Sequence, residues 1–199
     1  MSVCIFGGTF DPPHLGHLVI AEAIRDRLKI DTILFVPAYL PPHKISHSLS
    51  SVDARLRMLE LAIKGRKGFE ISNIEILRKG ISFSIDTIRQ LKQERGLRRE
   101  ELFFLMGADS LKEFHTWKDP DQILAESRVL VVKRPTFDIK SVQSNFRDKI
   151  ELIEAPFLEI SSSMIRHNVK ERAPIDSMVP KAVADYIHRE GLYRSCPRR

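Results

Sequence analysis

Cysteine is scarce in this chain: Cys4 lies inside an apolar run, Cys196 lies near the end, and there is no third. Two cysteines so placed give neither a disulfide framework nor the spacing of a metal site, and they point to a reducing compartment. Long apolar runs are missing as well. The longest, such as residues 102–106, fall far short of the ~20 residues a helix needs to span a bilayer. The first residues carry no basic leader before the break at Gly7-Gly8, so no signal segment is expected and the chain reads as cytoplasmic, with no membrane partner. No basic stretch is interleaved with aromatic residues, which argues against nucleic acid; the densest one, residues 194–199, reads as a frayed tail. Repeats, low-complexity tracts and linkers are absent, so one domain over residues 1–194 and a basic tail over 195–199 are expected.

What is present is the composition of an ordinary globule, 43% hydrophobic and 29% charged. The net charge of +6 would attract anions such as nucleotides, although unspecialised surface charge gives the same number. Short runs rich in Val, Ile and Phe alternate with stretches of helical period. Strands are expected at 3–6, 32–36, 69–72, 102–106, 128–132 and 150–153, and the clearest helices at 15–28, 52–64, 84–95 and 180–190. That alternation implies an α/β fold, a Rossmann-like parallel sheet with helices on both faces. Residues 38–51, rich in proline and serine, read as a loop of ~14 residues, a length that in compact domains usually serves function or is disordered.

The most informative segment is Phe6-Gly7-Gly8-Thr9-Phe10-Asp11-Pro12-Pro13-His14-Leu15-Gly16-His17, which follows the first strand and opens the first helix. Gly7 and Gly8, expected just after the strand, would let backbone amides approach an anion, and the helix start adds a favourable dipole. A helix beginning near Pro13 would project His14 and His17 from one face of its first turn, and Gly16 would leave room for a phosphate. Packed or solvated histidines, or a metal pair, are the alternatives; the local sequence offers no third ligand. Neither a Walker A loop nor a Gly-x-Gly-x-x-Gly fingerprint is present.

The segment resembles the signature of the nucleotidyltransferase superfamily, whose His-x-Gly-His pair is similar to that of class I aminoacyl-tRNA synthetases. Further blocks narrow the likeness: Val36-Pro37-Ala38-Tyr39-Leu40-Pro41-Pro42-His43-Lys44, Gly80-Ile81-Ser82-Phe83-Ser84-Ile85-Asp86-Thr87, Met106-Gly107-Ala108-Asp109-Ser110-Leu111 with Trp117, Ile160-Ser161-Ser162-Ser163-Met164-Ile165-Arg166, and the stretch from Val179-Pro180 to Leu192-Tyr193. In this order they resemble bacterial nicotinate mononucleotide adenylyltransferases over nearly the whole chain. The chain departs from that pattern with Phe83 and Ser84 where Tyr and Thr are commoner, and with Ser163 where Thr is frequent. Loss of the Tyr hydroxyl bears on how the acceptor's carboxylate is recognised.

Each block also has a reading of its own. The serines at 161–163 read as a helix cap whose free amides, with Arg166, would grip a phosphate, or as a plain capped surface helix with a solvated Arg. Gly107 and Asp109 follow a strand directly, where a carboxylate can accept ribose hydroxyls or simply cap a helix. Trp117, the only tryptophan, either stacks on a ligand ring or half-buries against the core.

The resemblance implies transfer of AMP from ATP to nicotinate mononucleotide, with ATP accompanied by Mg2+ that bridges its phosphates and has no dedicated protein site. His14 and His17 would bind phosphates, with His17 at the α position, while Lys44 and Arg166 hold the β and γ groups. Gly7, Gly8, Thr9, Phe10 and Gly16 would border the ATP, joined by Gly107 and Asp109 and by Ile160, Ser161 and Ser162. Trp117 would stack on the acceptor ring, with Lys44, Ser84, Thr87, Lys118 and Arg134 around it. A phosphate nucleophile needs no strong base, so catalysis would rest on alignment and charge neutralisation. Nicotinamide mononucleotide or phosphopantetheine as acceptor, and a nucleotide sensor without turnover, remain as rival readings, and a homo-oligomer is left open.

Overall fold

The computed structural model describes residues 1–42, 49–133 and 144–194. Strands β1 (Val3–Gly8), β2 (Thr32–Pro37), β3 (Phe69–Ile71), β4 (Leu102–Gly107), β5 (Arg128–Val132) and β6 (Ile150–Ile153) form one sheet in the order β3-β2-β1-β4-β5-β6. Every pairing in it is parallel. The order turns back between β1 and β4, so the crevice beyond their carboxyl ends is where such a sheet takes ligands.

The helices, in chain order, are α1 (Leu15–Leu28), α2 (Val52–Ile63), α3 (Ile74–Arg78), α4 (Ser84–Arg95), α5 (Ala108–Lys112), α6 (Pro120–Glu126), α7 (Ser144–Arg147), α8 (Ser162–Lys170) and α9 (Lys181–Arg189). Side chains alternate across the sheet. Cys4, Ile33, Phe35, Phe103 and Leu105 face a core made with α1, α2, α8 and α9. Val3, Ile5, Leu34, Leu102 and Phe104 face a second core made with α3 to α7. Burial on both faces is why these strands read as unbroken apolar runs.

The bounds of β5, β6, α1 and α4 coincide with the sequence expectation, and α9 begins directly after Pro180 and ends before Gly191, which takes a positive φ of 63°. Helices α3, α6 and α7 were not anticipated, because 4 to 7 residues are too few to display a helical period, and α5 was expected only in the reading of Asp109 as a helix cap. One expectation is corrected at the site itself. Gly7 and Gly8 do not follow β1 but end it, paired with Val36 and Pro37, so the ladder carries glycine backbone to the sheet edge. Of the loop expected at 38–51, residues 43–48 lie outside the described residues, as does the expected tail at 195–199.

Candidate active site

The chain leaves β1 through a turn that presents His14 and His17. Helix α1 starts at Leu15, so His14 is its cap rather than part of its first turn. The His17 Nδ1 accepts from the His14 backbone N–H at 3.1 Å, half of a reciprocal cap in which an imidazole takes the place usually held by Glu or Gln. The two rings stack with centroids 3.6 Å apart at 27°. Phe6 and Phe10 meet the His17 ring edge-on, at 5.8 and 5.2 Å, and fix its plane. His14 is 8% exposed, its Nδ1 has no partner among the described residues, and burial pushes its pKa down to about 4. It is therefore a neutral ring at pH 7, behind the half-exposed His17.

Two glycines do different work from that expected. A Cβ on Gly16 would lie 3.0 Å from His14 Nδ1, so the room beside Gly16 is filled by the His14 ring and is not left for a phosphate. On Gly8 a Cβ would lie 2.9 Å from Phe10 Cζ, whereas on Gly7 it would meet nothing within 4 Å. The Phe10 side chain, expected at the nucleotide, is 2% exposed in the core, which leaves only its backbone to face a ligand.

The start of α8 arrives from the far end of the chain. Ser162 Oγ donates to the Pro12 carbonyl at 2.8 Å, and Arg166 Nη1 donates to the Asp11 carbonyl at 2.7 Å. The Ile160 carbonyl lies beside Gly16, 3.9 Å from where its Cβ would be. Ser161 caps α8 by accepting from Met164 N at 3.1 Å, so the plain capping role expected for this serine run is present. Arg166 is half-buried and tied down, unlike the solvated Arg of the bland alternative.

Beside this turn lies a cavity of about 290 Å3, bordered among others by Gly7, Gly8, Thr9, Ser84, Gly107, Trp117 and Lys118. Trp117 is half-buried, edge-on to Phe114 at 5.5 Å and Phe104 at 6.2 Å, so the half-burial expected as one alternative is present, and the ring also lines the cavity. Lys118 reaches Asp86 with Nζ 3.0 Å from each carboxylate oxygen and lies over the Phe83 ring. Asp109 is exposed in the first turn of α5, where Gly107 holds the cap position, so the capping alternative for Asp109 does not apply.

Thr87 is corrected outright. It is 1% exposed, and its hydroxyl donates to Glu75 Oε1 at 2.6 Å while accepting from Arg78 Nη2 at 2.8 Å. Its place on the apolar stripe of α4, with Ile85, Ile88 and Leu91, turns it away from the cavity that Ser84 lines. Glu75 borders the cavity instead, 7% exposed, and burial raises its pKa against the pull of Thr87, Ser82 and Arg78.

A family model described as cytidylyltransferase-like matches residues 5–168. A protein of Moorella thermoacetica named "Probable nicotinate-nucleotide adenylyltransferase" is 41% identical, the match covering 96% of this chain and 91% of the relative. One of Thermomicrobium roseum with the same name is 40% identical with the same coverage. The chain belongs to the nicotinate-nucleotide adenylyltransferase family. The fold agrees: the structure of Plasmodium falciparum nicotinic acid mononucleotide adenylyltransferase complexed with NaAD superposes with a TM-score of 0.79 at 22% identity, over 96% of this chain and 97% of that one.

Two residues expected at a nicotinate-nucleotide adenylyltransferase site, Lys44 and Arg134, lie outside the described residues. Three charged or polar residues that sequence reasoning passed over are buried around it: Asp11, Arg55 and Glu75. Arg55 left one signal, an arginine on the helix stripe otherwise formed by Ala54, Met58, Leu59, Ala62 and Ile63. Asp11 and Glu75 left none, since a single carboxylate in a short turn or helix has no period to violate.

Proposed function

We infer that this protein transfers the adenylyl group of ATP to the phosphate of nicotinate mononucleotide, giving nicotinate adenine dinucleotide and pyrophosphate, a step of NAD biosynthesis. One observation carries the reading: in a chain of this family, the His17 turn, the α8 start with Arg166, and the Trp117 cavity adjoin one another at the carboxyl ends of β1 and β4. That arrangement supports a triphosphate site beside an aromatic-lined acceptor site, as an in-line transfer needs.

In the reaction an acceptor phosphate oxygen bonds to the α-phosphorus as the bond to the β-phosphoryl oxygen breaks, and pyrophosphate leaves. Because His17 Nδ1 accepts from backbone, the neutral ring carries its proton on Nε2 and is a donor there. A donor held by backbone and aromatic edges stabilises charge growing on the α-phosphoryl oxygens without reorganising. The start of α1, 14 residues long, adds its dipole. Arg166 neutralises the leaving end, a task we assign to Lys44 as well. His14 acts behind His17, as the ring against which it stacks. Gly7 and Gly107 leave the floor of the cavity open to the reacting groups, Asp109 is assigned to the ribose, and Ser84 and Trp117 are assigned to the acceptor ring.

ATP enters as its magnesium complex. Among the described residues no group of three His, Cys, Asp or Glu side chains could hold a metal ion, and magnesium bound mainly by substrate phosphates and water fits such a site. Bound there, it would shield phosphate charge. No described helix is long and apolar enough to cross a membrane, and a buried, unpaired Cys4 suits the reducing cytoplasm to which we assign the protein. Residues 1–194 are read as a single catalytic unit, since both cores share one sheet.

The test is pyrophosphate release from ATP with nicotinate mononucleotide, nicotinamide mononucleotide and phosphopantetheine in parallel. Turnover fastest with the first is expected. Preference for another acceptor, or ATP binding without turnover, would overturn the assignment.

A further inference from the structure

Arg55 is an arginine with 2% exposure, an unfavourable place for a guanidinium unless every donor is met. Among the described residues no carboxylate touches it directly. Its Nη1 donates to the carbonyls of Thr9 at 3.0 Å and Ala38 at 2.7 Å, Nη2 to Tyr39 at 3.4 Å, and Nε to Ser50 at 3.3 Å. Those carbonyls belong to the exit of β1, the exit of β2 and the approach to α2. A planar fork of donors suits such a task, whereas the single ammonium of Lys does not.

The counter-charge is Asp11, also 2% exposed, one residue beyond Phe10 in the same turn. Its Oδ2 accepts from Ser50 N at 3.1 Å, its Oδ1 accepts from the Tyr193 hydroxyl at 2.6 Å, and its carbonyl receives Arg166. Burial and Asp11 both push the Tyr193 pKa up, so the hydroxyl stays a donor. Tyr193 stands 182 residues from Asp11 in the chain. Buried charges serving stability alone could be replaced by apolar packing. This cluster instead joins the segments that carry the nucleotide side of the site: the turn leading to His14, the exit of β2, and Arg166.

We propose that Arg55, Asp11 and Tyr193 form a buried strut that sets the position of the triphosphate-binding turn and of Arg166, so that Arg55 and Tyr193 are positioning residues for ATP. Arg55, Asp11 and Tyr193 do not border the acceptor cavity, but Arg55 holds the carbonyls of Thr9 and Ala38, which do; among the described residues the Asp11 carboxylate and Tyr193 bond only to each other, Ser50 and Met58, none of which lines it. The Tyr193 end of the strut is therefore the part whose loss is specific to one substrate. The proposal rests on the adenylyl-transfer reading.

The full-length protein and its Tyr193→Phe and Arg55→Met variants are compared by steady-state kinetics in each substrate, by calorimetric binding of a non-hydrolysable ATP analogue, and by urea unfolding. Tyr193→Phe removes one oxygen and should lower kcat/KM for ATP about tenfold, the size of a hydrogen bond to a charged group. The KM for the acceptor should stay within about twofold, as for an independent site. Arg55→Met, close to an apolar isostere, should remain folded and lose at least about a hundredfold in kcat/KM for ATP, with weaker analogue binding, because four carbonyls lose their donor together. Equal losses for both substrates that track the urea midpoint would overturn the strut, as would wild-type ATP kinetics in folded Tyr193→Phe. If Arg55→Met does not fold, Tyr193→Phe decides alone. Failure of the underlying reading would show in the wild type, as no pyrophosphate with any acceptor; the analogue affinities of the variants would still test the strut.

Discussion

Replacing His17 by Ala removes two things that the structure separates. The first is the cap: Nδ1 accepting from His14 N–H at 3.1 Å, worth about 1 kcal/mol of stability, or roughly 2–4 °C in Tm for a chain of this size. The second is the Nε2–H donor proposed for the α-phosphate, whose loss should lower kcat by about 10²–10³, or about 2.7–4 kcal/mol. His17→Gln separates the two, because Gln at this position can reach back to the cap N–H as in an ordinary capping box. Urea unfolding should show the stability of the Gln variant restored, while pyrophosphate release at saturating ATP and acceptor should remain well below wild type. A His17→Ala enzyme that turns over within about threefold of wild type under those conditions would refute the role given to the ring, since loss of the smallest donor costs far more.

Three further outcomes are expected. His14 titrates near 6.5 when unfolded but only at about 4 when folded, so the unfolded chain binds the extra proton between those values and stability falls as pH drops through that window. The loss should reach about 3 kcal/mol, read as the difference in pH-dependent urea stability between wild type and His14→Asn, and a parallel pair of curves would count against it. Gly8→Ala should destabilise by about 1–3 kcal/mol through contact with the Phe10 ring, whereas Gly7→Ala, with open space, should stay within about 0.5 kcal/mol yet raise a KM; equal melting shifts for the two would be the contrary result. Thr87→Val leaves the buried Glu75 carboxyl short of its 2.6 Å donor, which should cost about 1–3 kcal/mol and raise the KM for the acceptor more than that for ATP. An unchanged urea midpoint would contradict the dependence of Glu75 on the Thr87 hydroxyl.

The parallel sheet was legible because both of its faces are buried, which turns each strand into an apolar run, and because α1 and α4 are long enough to repeat their period. The turn after β1 was legible for a local reason: Gly7, Gly8, His14 and His17 lie within a few residues of one another, so one stretch of chain presents them together. Local spacing misled where a neighbour in space decides the matter. Gly16 was expected to make room for a phosphate, but the His14 ring fills that room; Thr87 lies in the right block but on the buried side of its helix.

The sequence by itself determined the six strands, the longer helices and the family, since each is written in contiguous patterns of polarity and residue type. Only the tertiary structure decided which groups meet across the chain: Arg166 on the Asp11 carbonyl, Ser162 on Pro12, Tyr193 on Asp11, and Arg55 on four carbonyls from three segments. The physical reason is that a buried polar group must be satisfied by whatever the fold brings within about 3 Å, and that partner's place in the sequence leaves no trace in the residue itself.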